Sequence, residues 1–210
     1  MELFFSPLAC SMATRISLYE AAADARFTQV DTKAKRTLTG DDFLAINPMG
    51  MVPALRTDQG ALLTENPAIL QYVADAFPDA ALSPSGAFER AQLRQWLSFI
   101  GSELHEAIFL PLLDAKSPEA AKAYAREKIA LRFGRLETHL AGRTTLLDAF
   151  SVADAYLFTI LNWTFVTGID LAQWPSIQAY YRGLAQRPAV AKAFAEERAL
   201  YAEEQKAKKA

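Results

Sequence analysis

Residues 1–15, MELFFSPLACSMATR, decide how the rest of this chain is interpreted. The apolar residues 2–5 predict a strand, Ser6 and Pro7 interrupt it, and a helical pattern starts at Cys10 or Ser11. Cys10, the only cysteine of the chain, therefore lies where a helix begins. Unpaired N–H groups and the positive end of the helix dipole favour a thiolate there, the nucleophilic form of sulfur. A single cysteine is also a common small core residue, so position alone leaves both roles open.

The pattern after this helix predicts a small mixed sheet. Residues 26–30 (RFTQV) alternate and are rich in strand formers, which makes a βαβ unit with the first strand and helix. Residues 31–42 are expected to form a loop, and residues 43–46 a short helix. Pro53 predicts the start of the next strand and holds Val52 extended, so that the backbone N–H and C=O of Val52 are available to a ligand. Residues 61–63 complete a hairpin.

The sequence Thr64-Glu65-Asn66-Pro67 predicts the start of another helix, with Asn66 as N-cap and Pro67 in the first turn. A helix N-terminus can hold a carboxylate, and Glu65 can accept hydrogen bonds from an ammonium group. Together the two residues could bind both ends of an α-amino acid. An ordinary capped helix beside a solvated acid explains the same four residues.

The remainder of the chain is predicted to be helical. Residues 78–86 (PDAALSPSG) have the composition of a linker, and helices are expected over residues 88–115, 118–140, 176–186 and from residue 189 onward. Ser151 and Asp154 have the spacing of a capping box before a further helix. At 100° per residue, Ser98, Ser102 and His105 share one face of the long helix, which suggests the wall of a site. Without the serines, His105 is better explained as a core histidine.

Composition excludes several classes of protein. The 210 residues are 51% hydrophobic and 22% charged, and the net charge of −2 argues against a nucleic-acid binder. A single cysteine excludes an internal disulfide, and neither a signal peptide nor a membrane-spanning segment is found. We therefore expect a cytoplasmic protein without a membrane partner.

Five motifs together resemble the bacterial beta class of cytosolic glutathione S-transferases, and the similarity runs from residue 1 to about residue 195: SPLACSMA, FLAINPMGMVPAL, TENPAILQYVAD, WLSFIGSELHEAIFLPLL and FSVADAYLF. The resemblance implies an α/β, thioredoxin-like N-terminal domain (βαβαββα) over residues 1–79, which binds glutathione. An all-α C-terminal domain over residues 86–205 would then carry the electrophile site and the dimer contacts. It also implies glutathione as co-substrate, no metal, and a homodimer.

The resemblance assigns roles to individual residues. Cys10 and His105 resemble the catalytic pair near the glutathione sulfur, and Lys35 matches the residue that holds the glycine carboxylate. The backbone of Val52, before a cis proline at Pro53, matches the contact with the cysteinyl part. The remaining glutathione contacts of the class fall on Glu65 and Asn66 at the γ-glutamyl end, and on Ser98, Ser102 and Glu103, some of them toward the neighbouring subunit. The chain departs from the class at Asn66 (commonly serine), Ser98 (asparagine) and Glu106 (lysine).

Three functions follow as hypotheses. The first is attack of glutathione thiolate on small hydrophobic electrophiles held by an apolar pocket, which Phe109, Leu112, Trp163 and Phe165 could line. The second is a glutaredoxin-like thiol-disulfide exchange or peroxidase activity through a mixed disulfide of Cys10 and glutathione, which needs no second cysteine. The third is a non-catalytic interaction module of the same fold.

Overall fold

The computed structural model describes residues 1–207 and divides them into two compact units. The first unit contains Met1–Leu82 together with the helix that begins at Pro188, and the second contains Ser83–Arg187. The division between Leu82 and Ser83 falls inside the predicted linker.

The first unit is built on a five-stranded sheet in the order β3-β2-β1-β4-β5. Strand β1 pairs parallel with β2 and antiparallel with β4, while β4 pairs antiparallel with β5 and β2 with β3. The predicted α/β, thioredoxin-like arrangement is confirmed. In chain order, the elements are β1 (Glu2–Phe5), α1 (Met12–Glu20), β2 (Arg26–Asp31), β3 (Arg36–Thr37), α2 (Phe43–Ile46), β4 (Ala54–Arg56), β5 (Leu62–Thr64) and α3 (Asn66–Ala76).

Alternation along β1 divides the core of this unit between the two faces of the sheet. Leu3 and Phe5 pack on one face with residues of α1 and α3, including Leu18 and Ile69. Phe4 packs on the opposite face against Phe43 of α2. Successive side chains of a strand point to opposite faces, so a four-residue apolar strand can serve both layers.

Strand β3 contradicts the prediction that residues 31–42 form a loop. Its two residues pair with the end of β2, Thr37 opposite Val30 and Arg36 opposite Asp31. A strand of two polar residues has no periodicity that a sequence pattern could reveal, because only its partner strand defines it.

The second unit is helical, as predicted. Its elements are α4 (Ala87–Phe99), a π-helical segment (Ile100–Phe109), α5 (Leu110–Leu113), α6 (Glu119–Leu140), α7 (Val152–Leu161), α8 (Thr164–Thr167) and α9 (Pro175–Ala185). The capping box of α7 is confirmed: the backbone N–H and the hydroxyl of Ser151 both donate to Asp154 Oδ2, at 2.8 and 2.9 Å. Asp154 Oδ1 also accepts hydrogen bonds from the Leu146 N–H and the Tyr180 hydroxyl.

The long helix predicted over residues 88–115 follows a continuous helical path, but its central third is not α-helical. In the π segment the hydrogen bonds span five residues, as between the Leu110 N–H and the His105 carbonyl. Such bonding gives more than 3.6 residues per turn, so each side chain is rotated by less than 100° from the one before it.

Helix α10 (Pro188–Ala207) packs against α1 in the first unit, whereas sequence alone grouped it with the helical half. Where the two helices meet, Arg15 of α1 and Glu197 of α10 are both buried, 4% and 0% exposed, with Nε and Oε1 3.7 Å apart. Within residues 1–207, the structure contains no helix long and apolar enough to span a bilayer.

Candidate functional site

The connection between β1 and α1 places the single thiol. The Ala9 N–H donates to the Ser6 carbonyl at 3.1 Å, and the chain turns so that α1 begins at Met12 with Ser11 as N-cap. Cys10, the residue before the cap, is half-buried, and its Sγ donates to the Val52 carbonyl at 3.3 Å. Because a carbonyl oxygen only accepts, the thiol is the donor in this contact, which places the sulfur beside the Val52 backbone.

Val52 precedes a cis peptide bond at Pro53, as the resemblance implied. The loop that leads to it is fixed by Asn47, which is buried and donates from Nδ2 to the Met51 carbonyl at 2.8 Å. Val52 itself is half-buried. The connection between β1 and α1 and the loop before β4 thus place the Cys10 thiol beside the Val52 carbonyl.

Lys35 reaches the same loop. Its Nζ donates to the Gly50 carbonyl at 2.8 Å. Gly50 has φ +61°, a conformation that favours glycine, and a Cβ there would lie 3.0 Å from Cδ of Lys35 and 2.9 Å from Cδ2 of Leu44. An ammonium group has three N–H donors, and one contact with a carbonyl leaves donors for a ligand carboxylate.

Glu65 lies where β5 turns into α3. Its φ of 67° and ψ of 114° are rare for a residue with a side chain, and such backbone conformations typically cost about 1–3 kcal/mol and are concentrated at binding sites. Its carbonyl accepts hydrogen bonds from Ala68 and Ile69, both at 3.0 Å, so Glu65 is the residue that begins the helix. The Glu65 side chain is exposed beside the first turn of α3.

The prediction of Asn66 as N-cap is wrong, because the N-cap is Glu65 and Asn66 is the first residue of α3. The Asn66 side chain is buried and faces α1: Nδ2 donates to the Cys10 carbonyl at 2.8 Å, and Oδ1 accepts from the Thr14 hydroxyl at 3.2 Å. Asn66 therefore joins the start of α3 to the start of α1. For a ligand carboxylate the first turn of α3 offers backbone N–H groups.

Helix α10 also contributes to this region, which the sequence did not predict. Glu197 is fully buried, and its Oε2 accepts from the Leu8 N–H at 2.7 Å, two residues before Cys10. Its Oε1 lies 3.7 Å from Nε of Arg15, whose guanidinium stacks on the rings of Phe5 and Phe27 at 4.2 and 4.4 Å. A buried contact between two polar side chains that are distant in sequence has no local sequence signal.

Burial raises the pKa of Glu197 to about 8. Arg15 opposes the shift and Glu196 adds to it. Glu196 Oε2 is 3.8 Å from the same guanidinium and is better solvated, with 42% of its side chain exposed. One guanidinium thus faces two carboxyl groups, and burial of Glu197 raises the pKa of that residue.

The second unit carries the other four predicted site residues. Ser98 and Ser102 are exposed, and the Ser102 hydroxyl donates to the Ser98 carbonyl at 2.9 Å. Glu103 accepts from Nε and NH2 of Arg132 in α6, at 2.9 and 2.8 Å, so its partner is in the same chain. His105 is half-buried and its ring contacts Tyr156 and Trp163.

The prediction that Ser98, Ser102 and His105 share one face rests on regular α-helical geometry. It assumed 100° per residue, and Ser102 and His105 lie in the π segment, where that angle does not apply. The ring of His105 instead joins an aromatic cluster. Nδ1 lies 2.8 Å from the Tyr156 hydroxyl, and the Trp163 ring meets the imidazole edge-on with centroids 5.0 Å apart. Burial lowers the pKa of His105 from 6.5 to about 4, so the imidazole is neutral at physiological pH.

The four residues suggested for an electrophile pocket differ in accessibility. Phe109 is fully buried against Phe133 and Trp163, so it belongs to the core. Phe165 is 70% exposed. Leu112 borders a cavity of about 290 Å³ together with Ile129 and Trp174. Among residues 1–207, the structure contains no cluster of three or more histidine, cysteine or carboxylate side chains that could bind a metal.

Known proteins match the chain over nearly its whole length. The model of the glutathione S-transferase N-terminal domain matches residues 2–75, and that of the C-terminal domain matches residues 101–188. Glutathione S-transferase GstA of Escherichia coli O157:H7 is 39% identical over 199 residues, which cover 94% of this chain and 98% of the relative. Among solved structures, a ternary complex of the bacterial transferase BphK has a TM-score of 0.91 at 44% identity, covering 94% of this chain and 99% of that chain. A sphingomonad glutathione S-transferase complexed with glutathione has a TM-score of 0.89 at 47% identity, covering 94% and 98%.

Proposed function

Because this chain belongs to the glutathione S-transferase family, we propose that its first unit binds glutathione and that the bound thiolate attacks a small hydrophobic electrophile. The protein is a transferase whose co-substrate is glutathione. In the reaction the glutathione sulfur, after losing its proton to water, donates an electron pair to an electrophilic carbon. A sulfur–carbon bond forms and the leaving group departs with its bonding pair.

The arrangement around Cys10 is the observation that supports the proposed glutathione site. Two groups from distant parts of the first unit hold Cys10: the Val52 carbonyl accepts a hydrogen bond from its thiol, and the Asn66 amide donates one to its backbone carbonyl. Glutathione is proposed to extend along the Val52 backbone with its sulfur near Cys10. Lys35 would bind the glycine carboxylate, and Glu65 with the first turn of α3 would bind the γ-glutamyl end.

The second unit is proposed to supply the electrophile pocket and the side chain of His105. Candidate pocket residues are Leu112, Trp163 and Phe165. As a neutral imidazole, His105 would act by hydrogen bonding rather than as a cation. For Ser98, Ser102 and Glu103 we keep the role in glutathione binding that the beta class implies. The ion pair of Glu103 with Arg132 would then orient its carboxylate.

A homodimer is proposed as the functional form. Large apolar side chains are more than half exposed on each unit, Met49 and Met51 on the first and Phe88 and Leu131 on the second. Exposed apolar groups of this kind commonly mark protein–protein interfaces. Sedimentation equilibrium at micromolar concentration that finds only the monomer mass would contradict the dimer.

We also place the protein in the cytoplasm, because its single cysteine is a free thiol.

Thiol-disulfide exchange is the second candidate function, supported by the half-buried thiol of Cys10. Cys10 thiolate would attack the glutathione sulfur of a mixed disulfide and release the other thiolate. A second glutathione thiolate would then attack the Cys10–glutathione disulfide, giving oxidised glutathione and free Cys10. Cys10→Ala separates the two functions, because it abolishes exchange and leaves conjugation of chlorodinitrobenzene measurable.

The glutathione site is tested by comparing two lysines of one loop. Lys35→Met removes the ammonium group that contacts Gly50, whereas Lys33→Met removes an exposed one. We expect Lys35→Met to raise the KM for glutathione about tenfold and to weaken retention on glutathione-agarose, and Lys33→Met to leave both unchanged. Wild-type protein that is not retained and forms no conjugate would contradict the proposed function and favour the non-catalytic module.

A further inference from the structure

His105 occupies an unusual position in the backbone. It lies in the π segment, and its carbonyl accepts the hydrogen bond from the Leu110 N–H, five residues later. π-Helical turns are rare and are found frequently at functional sites. The imidazole contacts Tyr156 of α7 and Trp163 in the turn that follows α7.

Two contacts fix the imidazole. The Tyr156 hydroxyl lies 2.8 Å from Nδ1, with the two ring planes at 88°. Trp163 contacts the ring from another side, at a centroid distance of 5.0 Å and an angle of 63°. Tyr156 is 1% exposed and Trp163 8%, so packing limits the movement of both partners.

The hydrogen bond to Tyr156 distinguishes the two nitrogens of the imidazole. Because Nδ1 is occupied by the phenol, Nε2 is the nitrogen through which His105 can act on another molecule. In a neutral imidazole one nitrogen carries the proton and the other accepts, and the partner of one nitrogen determines the state of the other. A buried phenol at Nδ1 therefore fixes the orientation of the ring, and it can donate to one tautomer or accept from the other.

We propose that Tyr156 is a positioning residue of the transferase reaction, which holds His105 through Nδ1 so that Nε2 acts on the reactants. The proposal rests on the proposed function, in which His105 takes part in conjugation. It assigns a role to Tyr156 that requires no contact between the tyrosine and the substrates.

Tyr156→Phe is the direct test, because phenylalanine preserves the packing and removes only the hydroxyl. Tyr181→Phe is the matched control: Tyr181 is also buried in the second unit, and its hydroxyl donates to Asn162 Oδ1 at 3.2 Å. We expect Tyr156→Phe to lower kcat for conjugation about tenfold, with the KM for glutathione within about twofold, and Tyr181→Phe to change neither.

A double variant separates positioning from a general effect on the fold. If Tyr156 acts through His105, adding Tyr156→Phe to His105→Ala changes kcat less than about twofold, because the residue being positioned is gone. If the tenfold loss persists in the His105→Ala background, Tyr156 supports only the fold, and the proposal is wrong. Equal kcat values of the wild type and His105→Ala would also overturn the proposal for Tyr156. In that case, conjugation by the wild type would still support the proposed transferase function.

Nitrogen-15 NMR of labelled histidine gives a readout that does not depend on activity. The chain has two histidines, and His139 serves as internal reference because its Nε2 contacts the Leu146 carbonyl at 2.8 Å. We expect the Nδ1 signal of His105 to shift in Tyr156→Phe, because that nitrogen loses its hydrogen bond to the phenol, with His139 unchanged. Identical His105 signals in both proteins would overturn the proposal.

Discussion

Replacing Asn66 by alanine tests whether the start of α3 holds the thiol segment in place. Asn66 is 5% exposed, and its side chain links two elements. It donates a hydrogen bond to the Cys10 carbonyl at 2.8 Å and accepts one from the Thr14 hydroxyl at 3.2 Å. Asn66→Ala removes both hydrogen bonds. The fully buried Thr14 hydroxyl loses its acceptor.

The expected loss of stability follows from these two contacts. Depriving a buried polar group of its partner costs about 1–3 kcal/mol, so the two bonds together suggest about 2–4 kcal/mol. Alanine is a better helix former than asparagine by only about 0.5 kcal/mol, which offsets little of the loss. For a chain of this length the melting temperature should fall by roughly 5–10 °C.

Urea unfolding followed by far-UV circular dichroism at fixed protein concentration measures the change. Asp75→Ala, at an exposed position of the same helix, is the control and should stay within about 0.5 kcal/mol of the wild type. Thr14→Val completes a double-mutant cycle, in which we expect a coupling of about 1 kcal/mol. A loss below about 0.5 kcal/mol in Asn66→Ala, or strict additivity with Thr14→Val, would refute the argument that Asn66 joins the two helices.

Two further predictions concern carboxylates of the first unit. The pKa of about 8 for buried Glu197 exceeds its unfolded value near 4.5, so the folded protein binds the extra proton between these values. The free energy of unfolding should therefore decrease as pH rises from about 5 to 8, by at most about 1.4 kcal/mol per pH unit. From pH 5 to 9 the free energy of unfolding should depend less on pH in Glu197→Gln than in the wild type, and the exposed control Glu203→Gln should show the wild-type dependence. Equal slopes in all three proteins would contradict the pKa shift of Glu197. Glu65→Ala should weaken glutathione binding by about 10- to 100-fold in calorimetry, as for a lost charge-assisted contact, and unchanged affinity would remove Glu65 from the site.

Sequence patterns were sufficient for elements whose signal is local. The alternation in residues 26–30, the proline before β4 and the Ser151–Asp154 capping box each depend on residues within a few positions of one another, and each prediction agrees with the structure. The patterns failed where a partner distant in sequence decides the structure. Strand β3 is defined by its pairing with β2, and α10 packs on α1, where Glu197 lies beside Arg15.

The same distinction explains the errors in the candidate site. The residue types at positions 10, 35, 52 and 65 could be selected from sequence, but the direction of a side chain could not. Asn66 has the right residue type for an N-cap, yet the backbone at Glu65 begins the helix one residue earlier and turns the amide inward. The shared face of Ser98, Ser102 and His105 depended on a rotation of 100° per residue, which the π segment does not have. Tyr156, 51 positions after His105, offered no pattern at all.

The position of the thiol is consequently a property of the folded unit rather than of the Cys10 motif. Its segment is held by the Val52 carbonyl, the Asn66 amide and the Glu197 carboxylate, which are 42, 56 and 189 residues from their partners. The Val52 carbonyl contacts the sulfur of Cys10, the Asn66 amide contacts the Cys10 carbonyl, and the Glu197 carboxyl group contacts the N–H of Leu8. A change in any of the three supports would alter one of these constraints and leave the other two in place. Substitutions in α3 or α10 can therefore tune the orientation of the thiol while the motif itself stays constant, and a shared motif does not by itself imply equal thiol reactivity.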